Sequence, residues 1–97
     1  MLNNSKPSEK SIQTKVLRYL ESLPDAFCFK VITANKRGIG DVVLCYRGKF
    51  INFEIKSPGG KLSAIQIFQG QLISKAGGLW CRIKSLDEVK NVLKGLE

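Results

Sequence analysis

Residues 50–56, Phe-Ile-Asn-Phe-Glu-Ile-Lys, alternate apolar and polar side chains. Ile51, Phe53 and Ile55 fall on one side of such a segment and Asn52, Glu54 and Lys56 on the other, the period of a strand with one face against a core. Residues 42–46, Val-Val-Leu-Cys-Tyr, are β-branched and aromatic enough to pair with it, and Arg47-Gly48-Lys49 supplies the turn. A Gly48-Lys49 loop sets Asp41 opposite Lys56, whereas an Arg47-Gly48 loop sets it opposite Glu54. Either loop brings Asp41, Glu54 and Lys56 to one face at the open end of the hairpin. A three-residue loop without a bulge sends Asp41 to the other face.

The rest of the chain divides around this hairpin. Ile12, Val16, Leu20 and Leu23 form the apolar stripe of a helix running from Pro7-Ser8 to about Leu23, stopped by Pro24. Glu9 lies within that stripe. It is either a favourable charge at the helix start or a side chain reaching inward to a metal. Residues 26–33 read as a strand, and residues 35–40, Asn-Lys-Arg-Gly-Ile-Gly, as a basic loop leading into Asp41. Pro58, Gly59 and Gly60 make a second loop. Ser63 and Gln66 have capping-box spacing and open a helix with Ile65, Phe68, Leu72 and Ile73 inward and Gly77 as its stop. Within it, Gly70 either weakens the helix by roughly 1 kcal/mol or admits another backbone. Residues 79–83 form a strand with Trp80 in the core, and Ser85 to Glu88 is a second capping box, starting a helix through about Lys94. Residues 1–6 are expected to fray. The result is one α/β domain over residues 1–97, with the order α-β-β-β-α-β-α.

Composition narrows what this domain can do. A chain of 97 residues supports a single modest core. Sixteen basic residues against eight acidic ones, a net charge of +8, favour a polyanionic partner. Nucleic acid comes ahead of a membrane, because no apolar run approaches a spanning length. The N-terminus carries no signal-peptide core, which points to the cytoplasm. Cys28, Cys45 and Cys81 lack metal-ligand spacing and the chain has no His, so they read as buried reduced thiols. Without His, the usual general base and the usual nucleophile triads are also gone.

Asp41 and Glu54 are hard oxygen donors suited to Mg²⁺ or Mn²⁺. Lys56 can orient a water or offset charge developing on a phosphate. Metal-assisted hydrolysis of a phosphodiester is the reaction these groups fit best. The spacing Asp-x(12)-Glu-x-Lys is a weak signal alone, since Glu and Lys alternate on any solvated strand.

Larger motifs sharpen it. Ser8-Glu9-Lys10-x-Ile12-Gln13, Gly38-Ile39-Gly40-Asp41, Phe53-Glu54-Ile55-Lys56 and Lys61-Leu62-Ser63-x-x-Gln66 together resemble the VRR-NUC (virus-type replication-repair nuclease) group of the PD-(D/E)xK nuclease superfamily, in its stand-alone, phage-type form. The resemblance spans roughly residues 8–83. It implies a restriction-endonuclease-like core, a mixed sheet flanked by helices, and Mg²⁺- or Mn²⁺-dependent DNA endonuclease activity in a phage-infected or bacterial cell. It implies Asp41, Glu54 and the Ile55 carbonyl as metal ligands, Glu9 as a further one, Lys56 as the catalytic lysine, and Gln66 lining the site. For Gln66, a purely capping role beside Ser63 stands equally. Gly40 departs from the pattern, since many relatives have proline before the Asp. The resemblance further implies a homodimer on branched DNA such as a four-way (Holliday) junction, with neither a membrane nor a small-molecule cofactor. Lys36, Arg37 and Lys61 are the candidate phosphate contacts. The competing readings are a non-catalytic basic DNA-binding module and, less favoured, an inactive homodimer.

Overall fold

The computed structural model describes residues 7–97, so the expectation for residues 1–6 lies outside the described part. Ser8 caps helix α1 (Glu9–Glu21), its hydroxyl oxygen accepting the Ser11 N–H at 3.1 Å. The helix ends two residues before the expected Leu23, turning through Ser22 ahead of Pro24. Strand β1 (Ala26–Lys30) stops short of the expected Thr33, although Val31 still donates to the Asp41 carbonyl at 2.8 Å. Strands β2 (Val42–Tyr46) and β3 (Lys49–Ile55) follow as a hairpin.

The loop of that hairpin is Arg47-Gly48. Both residues have positive φ, 51° and 84°, as the type I′ turn of a two-residue hairpin requires. This choice decides between the two registers open to the sequence: Tyr46 faces Lys49 and Val42 faces Phe53. Helix α2 (Ala64–Lys75) then crosses over to β4 (Leu79–Ile83), which runs parallel to β3, and α3 (Leu86–Lys94) closes the chain. The sheet order β1-β2-β3-β4 makes it mixed, as expected.

One sheet face carries the core. Ile12, Val16 and Leu20 of α1 and Val89 and Leu93 of α3 pack on Val42, Leu44, Tyr46, Ile51, Phe53, Ile55 and Ile83. Each fully buried side chain of this size contributes about 1.5–3 kcal/mol.

The second face is only half covered. Helix α2 lies against β4, meeting it through Gly70, where an added Cβ would fall 2.2 Å from the Trp80 ring. The small residue thus admits an indole rather than another backbone; Trp80 is half-buried beneath α2, on the opposite face from the core residues. The expected inward stripe of α2 is not observed. Ile65, Phe68 and Leu72 are exposed and only Ile73 is half-buried. The physical reason is geometric: a helix touching one strand through one glycine leaves its other faces to solvent. Phe27, Cys45 and Phe50 form a cross-strand row on the uncovered part, with Phe29 beside Phe27 at 6.2 Å between ring centroids. All four are exposed. The expectation of three buried thiols therefore fails at Cys45, while Cys28 and Cys81 are half-buried. No helix among the described residues is long and apolar enough to cross a membrane.

The Gly70–Trp80 contact yields a prediction. Gly70→Ala should gain helix propensity of up to about 1 kcal/mol yet lose more to overpacking, on the order of 1–3 kcal/mol. The expected outcome is a thermal midpoint lower by several degrees, with a changed emission from the single tryptophan. An unchanged or raised midpoint contradicts the packing described.

Candidate active site

At the open end of the hairpin the ladder between β2 and β3 gives way. Val42 is the partner of Phe53, yet the Asp41 N–H also donates to the Phe53 carbonyl, at 2.8 Å. Two residues against one is the pattern of a β-bulge, which re-aims a side chain at a strand end. Here Asp41 Oδ2 accepts the Ile55 N–H at 2.8 Å, so the carboxylate stands where the next backbone carbonyl would have been.

Asn52 holds this arrangement from below. Fully buried, it donates from Nδ2 to the Val42 carbonyl at 3.0 Å and accepts the Gly40 N–H on Oδ1 at 2.9 Å. A Cβ on Gly40 would lie 2.7 Å from the Phe53 carbonyl oxygen and 2.8 Å from Asn52 Oδ1. Proline there would add that carbon and remove the donor. The departure at Gly40 is thus matched by an amide clasp that fixes the approach to Asp41. The sequence reading set Asn52 on the Glu54 face but gave it no role. Its signal was a neutral amide between Ile51 and Phe53 on a central strand.

Glu54 is the most constrained group. Its side chain is 3% exposed; Oε2 accepts from Gln66 Nε2 at 3.1 Å, and Oε1 is buried with no hydrogen-bond partner. Burial first, then the Asp41 charge and a hydrogen bond shared with Asp41, push this carboxyl up from 4.5 to about 8. Lys56 pulls the other way, and Glu9 adds a small increment in the upward direction. Asp41, Lys56 and Glu9 are therefore all within electrostatic reach of Glu54. Glu9 itself is exposed in the first turn of α1. Among the described residues no group of three or more Asp, Glu, Cys or His is gathered closely enough to cage a metal.

Gln66 touches both Ser63 and Glu54. Its Oε1 accepts the Ser63 N–H at 2.8 Å, its own N–H reaches Ser63 Oγ at 3.3 Å, and its amide nitrogen holds Glu54. Lys36, Arg37 and Lys61 are exposed, and the loop carrying the first two is tethered to α2 where Gln69 Nε2 donates to the Arg37 carbonyl at 2.9 Å. Arg82 was overlooked by the sequence reading. It is the β4 partner of Glu54, and its guanidinium donates to the Gly60 carbonyl at 2.7 Å, pinning the loop that follows Lys56. Its only signal was its position in the last strand.

No protein-family model matches the chain, and no curated protein sequence does. Solved structures do. A protein described as "VRR_NUC domain protein" superposes with a TM-score of 0.75 at 17% identity, covering 93% of this chain and 88% of that one. Another, described as "VRR_NUC domain", gives a TM-score of 0.76 at 18% identity, covering 91% of this chain and 97% of its own. The chain has the VRR_NUC fold.

Two predictions follow from the site. For the metal-free protein, the unfolded chain releases the Glu54 proton near 4.5 while the folded chain keeps it until about 8. Folding stability should therefore fall as pH rises through that interval and level off above it. In EDTA, the stability difference between wild type and Glu54→Gln should widen with pH in that sense; a constant difference contradicts the raised value. Separately, Asn52→Leu should leave the Gly40 N–H without its partner, costing about 1–3 kcal/mol in chemical denaturation.

Proposed function

We propose that the chain is a divalent-metal-dependent DNA endonuclease, working in the cytoplasm as a homodimer on branched DNA such as four-way junctions. The observation that carries the reading is Glu54 Oε1, a buried carboxylate oxygen without a partner, pressed against a second carboxylate. Burying an acid this way is costly unless a cation completes it. Asp41 and Glu54 fit Mg²⁺ or Mn²⁺, which take one or two carboxylates and fill the remaining positions with water and phosphate oxygens. The Ile55 carbonyl leaves the strand on the same edge as the N–H that Asp41 binds, which supports it as a third donor. Glu9 serves as an outer acid. Such a cation supplies Lewis-acid polarisation of a phosphoryl oxygen.

The chain's own groups do the rest. Gln66 holds one Glu54 oxygen and so leaves the other for the cation. The Lys56 ammonium orients the attacking water or offsets charge developing on the phosphate. Lys36, Arg37 and Lys61 hold flanking phosphates.

The homodimer reading has support of its own. Phe27, Phe29 and Phe50 are 69%, 48% and 45% exposed. Together they offer roughly 300 Å² of aromatic surface, already the size of the largest apolar patch on a typical monomer. A second copy seated there covers it.

The test is cleavage of labelled branched and linear DNA in Mg²⁺, in Mn²⁺ and in EDTA. Branched DNA should be cut only with metal, and Lys56→Ala should cut about 10²–10³-fold more slowly. Binding without cleavage in either metal favours the non-catalytic module instead. Light scattering should give twice the chain mass, reverting to one in Phe27→Ser/Phe29→Ser.

A further inference from the structure

The outward side of α1 is basic along most of its length. Residues three and four apart share a helix face, so Lys10, Thr14 and Arg18 form one row and Ser11 and Lys15 the next. With Ser8 they line a hollow of about 420 Å³ on the helix surface. The hydroxyls of Ser11 and Thr14 are spent on the Ser8 and Lys10 carbonyls, at 3.2 and 3.0 Å. Their contribution is small volume between long cations, which lets a bulky backbone approach. Lys15 and Arg18 are three apart, a like-charge pair that costs the isolated helix stability until an anion neutralises it. The only acids on α1 are Glu9 at its start and Glu21 at its end.

Through Lys15 this face extends to the end of β4. Lys15 also lines a second hollow, of about 270 Å³, together with Lys84, Ser85 and one acid, Asp87. Lys84 directly follows Ile83, whose carbonyl accepts the Lys56 N–H at 3.0 Å. Cations thus run from Lys84, one residue past the backbone partner of Lys56, through Lys15 to Lys10 and Arg18. From Lys10 to Arg18 the helix rises roughly 12 Å, the length of about three phosphates on one strand of a duplex.

We propose that the outward face of α1, continued through Lys15 to Lys84, is a rail for the sugar-phosphate backbone of one DNA arm leading away from Asp41 and Glu54. The proposal rests on the nuclease reading for where the scissile phosphate lies. Charge complementarity sets the occupant: a cationic row with small hydroxyl residues between fits a regular polyanion. The contacts position the arm and read no sequence.

The experiment is fluorescence anisotropy of labelled four-way junction and linear duplex in EDTA, titrated with salt between about 50 and 200 mM. The full chain is compared with Lys10→Gln/Lys15→Gln/Arg18→Gln and with a charge-matched control, Lys75→Gln/Lys90→Gln/Lys94→Gln. Circular dichroism and thermal midpoints confirm that both triples stay folded. The rail triple should bind at least about tenfold more weakly at the lower salt and flatten the log–log salt slope by about 2–3, near 0.9 per lost contact. The control should keep the wild-type slope.

Equal losses in both triples, or an unchanged slope in the rail triple, would overturn the proposal. Loss of binding to phosphatidylserine vesicles with DNA binding intact would assign the face to a membrane and overturn it too. Cleavage assays keep the two readings apart. A wild type that cuts DNA while the rail triple binds normally sinks the rail alone. Rail-dependent binding without cleavage in either metal sinks the nuclease reading and leaves the rail.

Discussion

Asp41 leaves β2 where its ladder with β3 ends, and its carboxylate takes over the work of a backbone carbonyl by accepting the Ile55 N–H. That bond sets the distance between the two acids. Had Asp41 continued the strand in regular pairing, its side chain would point away from the sheet plane, and the Ile55 amide would need another partner. Because the carboxylate turns to the Ile55 amide instead, its negative charge stays close enough to Glu54 to oppose that acid's ionisation. The bulge, the Asn52 clasp and the absence of a Cβ at Gly40 all serve this one placement.

Its cost is carried by Glu54. A carboxylate with one oxygen satisfied by Gln66 and the other by nothing is poorly solvated, and a second acid beside it makes ionisation harder. On the nuclease reading, stability and function pull apart here. A hydrophobic residue at position 54 would relieve the strain, and would also remove the reason for the fold to bring these strands together so tightly. The surrounding core, with α1 and α3 packed on one sheet face, is large enough to bear that cost.

The half-covered sheet gives the molecule two unlike surfaces. Along the outward side of α1 it is cationic. Across β1, β2 and the start of β3 it is aromatic, because α2 packs mainly on β4 and touches β3 only where Gln66 meets Glu54. A small domain with a single core has little room to add another covering element, which leaves this apolar face uncovered within the chain.

The linear chain determined the element order, the strand pairing of residues 42–46 with 50–55, the capping of α2 and α3, and the candidacy of Asp41, Glu54 and Lys56. Each of these is written in local periodicity or turn chemistry, which act over a few residues. Local pattern left two hairpin registers open, and the positive φ at both Arg47 and Gly48 decided between them. It misjudged α2, whose apolar residues looked inward because amphipathicity says which side is greasy but not whether anything lies against it. It gave no role to Asn52 or Arg82, since a clasp to Gly40 and a tie to Gly60 join residues far apart in sequence and exist only once the strands are assembled. The depth at which Glu54 is buried likewise came from tertiary packing, because burial is a property of everything around a side chain and not of the side chain itself.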